Sequence, residues 1–444
     1  MRGREGAFGV LLIKMLPSSA ASEQEELDLI SQLPDSILHS ILLLLPFKDS
    51  ARTSILSSRW RHLWEEAPLR LDDYYLCHNE HLVSWIFYSH RGPIESLHLY
   101  YFTRDTVDRF MESAVQRGIR ELKLAGFMRR PYQLPSSILT CKSLHQLSVV
   151  ACQFPQAVLP SIFPNLKELR LSCVMLRNDQ LQILLSSCGS LDTLQLKDCW
   201  NSSVSSVSSP RLRKFTWKSS TVDELIIEDM PNLESLMLDE YTTRDCKVKV
   251  LNAPKLQLLG FLCADFQTLQ LGGTLLHQQP ASIFQVNAMP CRMAMLSSVK
   301  VLAINMEQSF NKTLLDLLRC FPCLEKLFIL KYGGSCYKTH VDKEIWNAHS
   351  SLSFLDHLKT VTVKGYYNSQ SDLELLRYLV GHGKVLRKII LLYSKTFNDE
   401  KFVEAKKRQF SVEKRASSDL ELCFFIDTKN NVHFSLWNEL IWER

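Results

Sequence analysis

No run of eighteen or more apolar residues occurs anywhere in the 444-residue chain, so no transmembrane helix is expected. Excess charge is also scarce. Against 52 Lys and Arg stand 47 Asp and Glu, a net +5, which is too thinly spread to argue for nucleic acid. The densest basic stretch, Lys406, Lys407, Arg408, Lys414 and Arg415, reads as a solvated helix face. Paired cysteine spacing is missing: the 13 cysteines are odd in number and scattered from Cys77 to Cys423. That excludes a disulfide framework and favours a reducing compartment. The single Cys-x-x-Cys, Cys320 to Cys323, has no second pair at zinc spacing and reads as two small buried hydrophobes. Phosphate loops, dinucleotide turns, His-Glu-x-x-His and Gly-x-Ser-x-Gly are absent as well. His78 and His81 find no acidic neighbours that would complete a metal set, and the sequons at Asn201 and Asn311 matter only in a secreted chain. The expectation is a protein with no catalytic residue, no metal and no cofactor.

What the chain does have begins with helix. Glycine is missing from Val10 to Arg91, so nothing there weakens a helix from inside. Residues 1–27 read as a disordered leader. The apolar run Phe8–Ile13 is broken by Lys14 and too short for an export signal, and Met15 is an alternative start. Residues 28–66 read as three short helices. Pro34 and Asp35 open the first, Ile37, Leu38, Ile41, Leu44 and Leu45 supply its 3,4-spaced stripe, and Pro46 stops it. A second runs near Lys48–Leu56, and Ser57 or Ser58 caps a third that carries Trp60, Leu63 and Trp64 on one side. About 40 residues bury too little surface to stand alone. The apolar surplus must be covered by the rest of the chain or by another protein.

The stretch Asp28-Leu-Ile-Ser-Gln-Leu-Pro-Asp-Ser-Ile-Leu38, the run Leu45-Pro-Phe-Lys-Asp-Ser-Ala51 and the ending Leu56-Ser-Ser-Arg-Trp-Arg-His-Leu-Trp64 together resemble a plant F-box. In that family the module binds the SKP-type adaptor of a cullin ubiquitin ligase. By position, the resemblance implies adaptor contacts from Leu33, Pro34, Ile37, Leu38, Ile41, Leu45, Pro46, Ile55, Leu56 and Trp60. Phe47 stands where the plant motif more often has a small polar residue.

After a connecting segment at 67–95, Leu-x-x-Leu-x-Leu recurs. It begins Ile119/Leu122/Leu124, Leu144/Leu147/Val149, Leu166/Leu169/Leu171 and Leu191/Leu194/Leu196, and continues through Leu386/Ile389/Leu391. First positions are spaced 25, 22, 25, 21, 21 and 23 residues up to Leu256. The next gap of 43 reads as two units, one of them a degraded copy near Phe266–Leu271. These periods are those of leucine-rich repeats. One unit cannot bury its apolar edge alone, so neighbours must stack. The expected fold is therefore α/β: a three-helix F-box, then an irregular leucine-rich-repeat solenoid over 96–345 with a curved parallel sheet. Few full helices are expected between strands, with Leu181–Leu185 and Leu314–Leu318 the best candidates. Second apolar runs such as Val222–Ile227 and Val248–Leu251 break the pattern.

Leu358–Phe425 resembles the FBD region that ends many plant F-box proteins, through Leu358-Lys-Thr-Val-Thr-Val-Lys-Gly-Tyr366 and Lys384-Val-Leu-Arg-Lys-Ile389. Residues 346–425 are expected to continue the repeats and close the solenoid, leaving 426–444 as a tail. The strand positions between leucines mix charge, amide and hydrophobe, which suits a protein target. The candidates on the concave face are Lys167, Arg170, Asp192, Gln195, Arg213, Thr216, Glu234, Met237 and Phe328. The expected function is a non-enzymatic substrate receptor of an SCF-type cullin ligase. Its partners would be the SKP-type adaptor, through it a cullin, and a protein target; nucleic acid and membrane are not expected. Nucleus and/or cytoplasm is the expected location. The alternative is a repeat scaffold that works without any ligase.

Overall fold

A computed structural model describes residues 30 and 32–426, apart from 77–78, 101–102, 127–130, 155–161, 177, 200–203, 219–222, 239–245, 264–267, 278–284, 288–293, 307–311, 332–352, 367, 394–403, 405–407, 409 and 411–414. The expected leader, both sequons, His78 and all but the first residue of the expected tail lie outside the described residues. The chain divides into two units, 1–67 and 68–444.

Among the described residues, the first unit holds three helices: α1 (Asp35–Leu44), α2 (Phe47–Thr53) and α3 (Ser58–Glu66). Proline explains the first two starts. Pro34 and Pro46 are the N-caps, their fixed φ setting the chain for entry without an amide to satisfy. Ser57 caps α3 by accepting from the Trp60 amide at 3.3 Å. Arg59 then ties α3 back to the start of α1, donating to Asp35 Oδ1 at 2.9 and 2.6 Å and to the Leu33 carbonyl at 2.6 Å. Trp60, Leu63 and Trp64, which their spacing puts on one side, are all buried.

The second unit is built on fourteen strands whose neighbours are all parallel and follow chain order. The sheet starts earlier than the repeat pattern shows. Leu69–Asp72, inside the segment read as a connection, pairs with Ile94–Leu99 and is the first strand. It carries only Leu-x-Leu, too little to register as a copy. Registers then run in phase. Leu97 sits beside Leu122, Leu122 beside Leu147, and Leu147 beside Leu169, so the leucines form continuous buried columns. Two asparagines that each follow a proline lock adjacent turns: the Asn165 side-chain amide donates to the Lys142 carbonyl at 2.8 Å, and that of Asn232 to the Pro210 carbonyl at 2.7 Å. At the strand exits Ala151, Cys173 and Asp198 hold φ near +50°. Each sends its N–H to the next strand's last carbonyl at 2.8–2.9 Å. Gly126 occupies the same place one repeat earlier, where a Cβ would lie 2.5 Å from the Ala151 oxygen.

The connections differ along the chain. Helices Arg104–Gln116, Asn178–Ser187, Lys312–Arg319 and Gln370–His382 serve the two ends. In the middle, the second apolar runs become strands. Val204–Val207, Glu224–Asp229, Lys247–Asn252 and Thr268–Leu271 form a second parallel sheet. Thr274–His277 then returns antiparallel after the two-residue turn at Gly272 and Gly273. This corrects the degraded copy expected near Phe266–Leu271. Leu269 and Leu271 continue the Val248 and Val250 column of the second sheet, while Leu258–Cys263 pairs directly with Val301–Met306 in the first. The 43-residue gap is one long repeat. Beyond it, Thr360–Tyr366, Lys388–Tyr393 and Glu421–Ile426 extend the main sheet, so the C-terminal region continues the solenoid. Of the basic stretch, Lys406, Lys407 and Lys414 lie outside the described residues, Arg408 is exposed as expected, and Arg415 is half-buried, donating to the Phe410 and Leu420 carbonyls. Among the described residues, no helix is long and apolar enough to cross a membrane.

Candidate protein-docking site

Helix α1 carries two apolar stripes. Leu38 and Leu42, one turn apart, are fully buried. Ile37, Ile41 and Leu44, offset from them by one residue, follow i, i+4, i+7 and face outward: Ile37 is 46% exposed, Leu44 86%, and Ile41 lies half-buried between them. The turn after α2 adds Ile55 and Leu56, the latter 69% exposed. Pro34 and Pro46 are exposed, Leu33 and Leu45 half-buried. Two of the ten expected adaptor contacts are corrected. Leu38, at 0% exposure, and Trp60 are core residues with no surface to offer. The motif could not separate them, because every position on both stripes is apolar. Leu44 is the residue sequence reasoning left out, and it is the most exposed large hydrophobe described. Its signal was available: it lies seven residues, two full turns, from Ile37.

The sheet face opposite the leucines is the second surface. Its N-terminal half is polar. His98 spans Asp72 and Glu121, its Nδ1 at 3.0 Å from the first and its Nε2 at 3.1 Å from the second. Lys123 meets Glu121 at 2.6 Å. Held first by His98 and then by Lys123, the Glu121 carboxyl drops to about 2. Arg170 pairs with Glu168 at 2.5 Å across the strand Glu168–Ser172. Asp192, Arg213 and Glu234, all expected target contacts, make one network: Arg213 lies 2.9 Å from Glu234 and 3.6 Å from Asp192. Lys167 is exposed, and Gln195 and Thr216 half-buried.

The C-terminal half of that face is different, and two expectations fail on it. Met237 and Phe328, expected on the open surface, are 4% and 3% exposed. They pack with Leu258, Phe261, Ala303 and Leu330 in a hydrophobic cluster. Strand alternation gives a side chain's face but not whether that face is covered.

A cavity of about 350 Å³ lies beside Leu99, Val107, Leu124, Tyr132 and Cys152. Its tyrosine hydroxyl is committed to Asp108 at 2.7 Å. Burial lifts the thiols of Cys152 and Cys199 to about 11 and those of Cys188 and Cys246 to about 12, which keeps them protonated and unreactive. Cys320 and Cys323 are half-buried rather than fully enclosed. Among the described residues, no group of His, Cys, Asp and Glu could hold a metal.

Comparison with known proteins agrees with this layout. Family profiles match an F-box domain over residues 30–72 and an FBD over 352–391. The profile "FBD-associated F-box protein At5g56370, LRR repeats" matches 107–329, half of the chain. The chain belongs to the F-box/FBD/LRR-repeat family. A relative from Arabidopsis thaliana, the putative F-box/FBD/LRR-repeat protein At2g05300, is 34% identical over 241 residues, 50% of this chain and 54% of its own. F-box/LRR-repeat protein 13 of the same plant is 30% identical over 244 residues, again 50% and 54%. A more distant one, the probable FBD-associated F-box protein At1g32375, is 25% identical over 404 residues, 85% of this chain and 95% of its own. The match to the first two spans about half the length of each relative. In this F-box/FBD/LRR-repeat chain the F-box match covers α1 to α3 and runs on into the first strand, Leu69–Asp72.

Proposed function

We propose that this chain is a non-catalytic substrate-receptor subunit of an SCF-type cullin ubiquitin ligase. F-box domains as a class dock SKP-type adaptors, and the adaptor in turn would link this chain to a cullin. The single observation that carries the reading is the outward stripe of Ile37, Ile41 and Leu44, joined by Ile55 and Leu56. Large apolar side chains left in water on a small helical unit mark a protein interface. The repeat unit supplies a long, regular sheet whose polar half is open to a protein target. Ubiquitin transfer would then follow from proximity: holding target and charged enzyme together raises their effective concentration without any catalytic side chain here. Thirteen scattered cysteines without paired spacing fit a reducing compartment, nucleus and/or cytoplasm.

Affinity capture tests it. Wild-type chain is expected to retain a purified SKP-type adaptor, and the Ile37→Asp/Leu56→Asp variant to lose it with its thermal unfolding unchanged. Equal retention by both, or by neither, would leave the alternative, a repeat scaffold that acts without a ligase.

A further inference from the structure

One row of residues runs along the entry edge of the main sheet, one position before each strand. Backbone hydrogen bonds define it. The amide of His145 donates to the Arg120 carbonyl, Lys167 to His145, Asp192 to Lys167, Arg213 to Asp192 and Glu234 to Arg213, all at 2.8–2.9 Å. The same ladder continues through Gln257 to Lys300, Glu325, Lys359 and Arg387, at 2.8–2.9 Å. From Asp192 to Glu234 and from Lys300 to Lys359, on either side of the neutral Gln257, charge alternates and neutralises itself. Arg213 sits between Asp192 and Glu234, and Glu325 between Lys300 and Lys359 at 3.3 and 2.6 Å.

Across Arg120, His145 and Lys167 the alternation stops. The three positions hold no acid, with Arg120 and Lys167 on either side of His145, and exposed Lys142 precedes His145 on the same edge. Arg120, Lys142 and Lys167 make no ion pair among the described residues. Nearby acids do not neutralise them, because each is engaged elsewhere. Glu95 holds Arg70 at 2.7 Å, Glu121 holds His98 and Lys123, Glu168 holds Arg170, and Asp192 faces Arg213. Adjacent parallel strands lie about 4.8 Å apart. Arg120 and Lys167, two steps or about 9.6 Å apart, therefore match about three residues of an extended peptide at roughly 3.3 Å each.

We infer that this edge receives an acidic, extended segment of the target protein, whose carboxylates complete the charge alternation the row lacks. The inference rests on the reading that the polar half of the sheet holds the target, and it names the chemistry of what is held. Mixed exposed pairs beside the stripe add register rather than strength, since each is already satisfied and exposed pairs contribute little.

Fluorescence polarisation with a labelled peptide of alternating Glu and Asp tests it on the full chain. Binding is expected, weakening as salt rises. Arg120→Glu/Lys167→Glu should lower affinity by about tenfold or more, and Arg213→Ala by much less. Equal affinity of the double variant, equal loss in Arg213→Ala, or equal binding of an uncharged Gly-Ser peptide would overturn the inference. Stronger binding of a single-stranded oligonucleotide would overturn it in favour of nucleic acid. Adaptor capture by the same double variant separates the two readings. Retained adaptor with lost peptide binding leaves the ligase reading standing; lost adaptor strikes at that reading instead.

Discussion

The two halves of the sheet face opposite the leucines share a backbone and a repeat, yet they are different materials. From Ile94–Leu99 to Lys214–Lys218 the position between the two inward residues is His98, Lys123, Ser148, Arg170, Gln195 and Thr216. From Ser235–Leu238 to Lys326–Lys331 it becomes Met237, Gly260, Ala303 and Phe328. The first set meets water and pairs its own charges; the second is buried, and its Met237, Ala303 and Phe328 join one cluster. The lesson is that the repeat fixes where side chains point, and the side chains then decide whether a face is a surface or a second core.

That comparison can be broken most forcefully at Phe328. Replacing it by Ala should cost about 3–5 kcal/mol if it is core. Urea denaturation of the full chain reads this directly, and a loss near zero would return Phe328 to the surface. Next in size is Gly260, where an added Cβ would come within 2.6 Å of the Ala303 Cβ. Gly260→Ala should destabilise by about 1–3 kcal/mol through overpacking. On the polar half, Glu121 offers a smaller and pH-dependent effect. Its carboxyl is depressed from 4.5 to about 2 in the folded chain. Its contribution is therefore complete above the ordinary carboxylate value and is lost as pH falls toward about 2. Glu121→Gln should be less stable than wild type near neutral pH, and the gap should shrink on acidification. A gap constant with pH would remove the role assigned to His98 and Lys123. Least of all, Lys167→Ala should change stability by no more than about 0.5 kcal/mol, because the side chain is exposed and unpaired.

Much of this was legible in the sequence. A serine cap at 57 or 58, Pro34 at the start of α1 and a single side for Trp60, Leu63 and Trp64 all follow from local rules that the structure keeps. So do the repeat columns, since a period of about 22 residues leaves stacked strands as the way to bury leucine. What escaped was anything set by neighbours distant in sequence. The helix over Arg104–Gln116 and the strand at Leu69–Asp72 carry weak local signals and are fixed by the sheet they join. The second sheet arises because Leu225, Val248 and Leu269 align only once the main strands are stacked. On α1, ten residues hold two apolar stripes, and composition does not say which one the chain itself covers. Leu38 and Leu44 exchanged roles for that reason.

Isothermal titration of the full chain with a purified SKP-type adaptor, repeated at several temperatures, tests most directly whether that outward stripe exists to be covered by another subunit. Binding is expected with a negative heat-capacity change, the mark of apolar surface leaving water. Leu44→Asp should then weaken it by tenfold or more, or about 1.4 kcal/mol. No binding, or binding of equal strength when Leu44 carries a charge, would contradict the account.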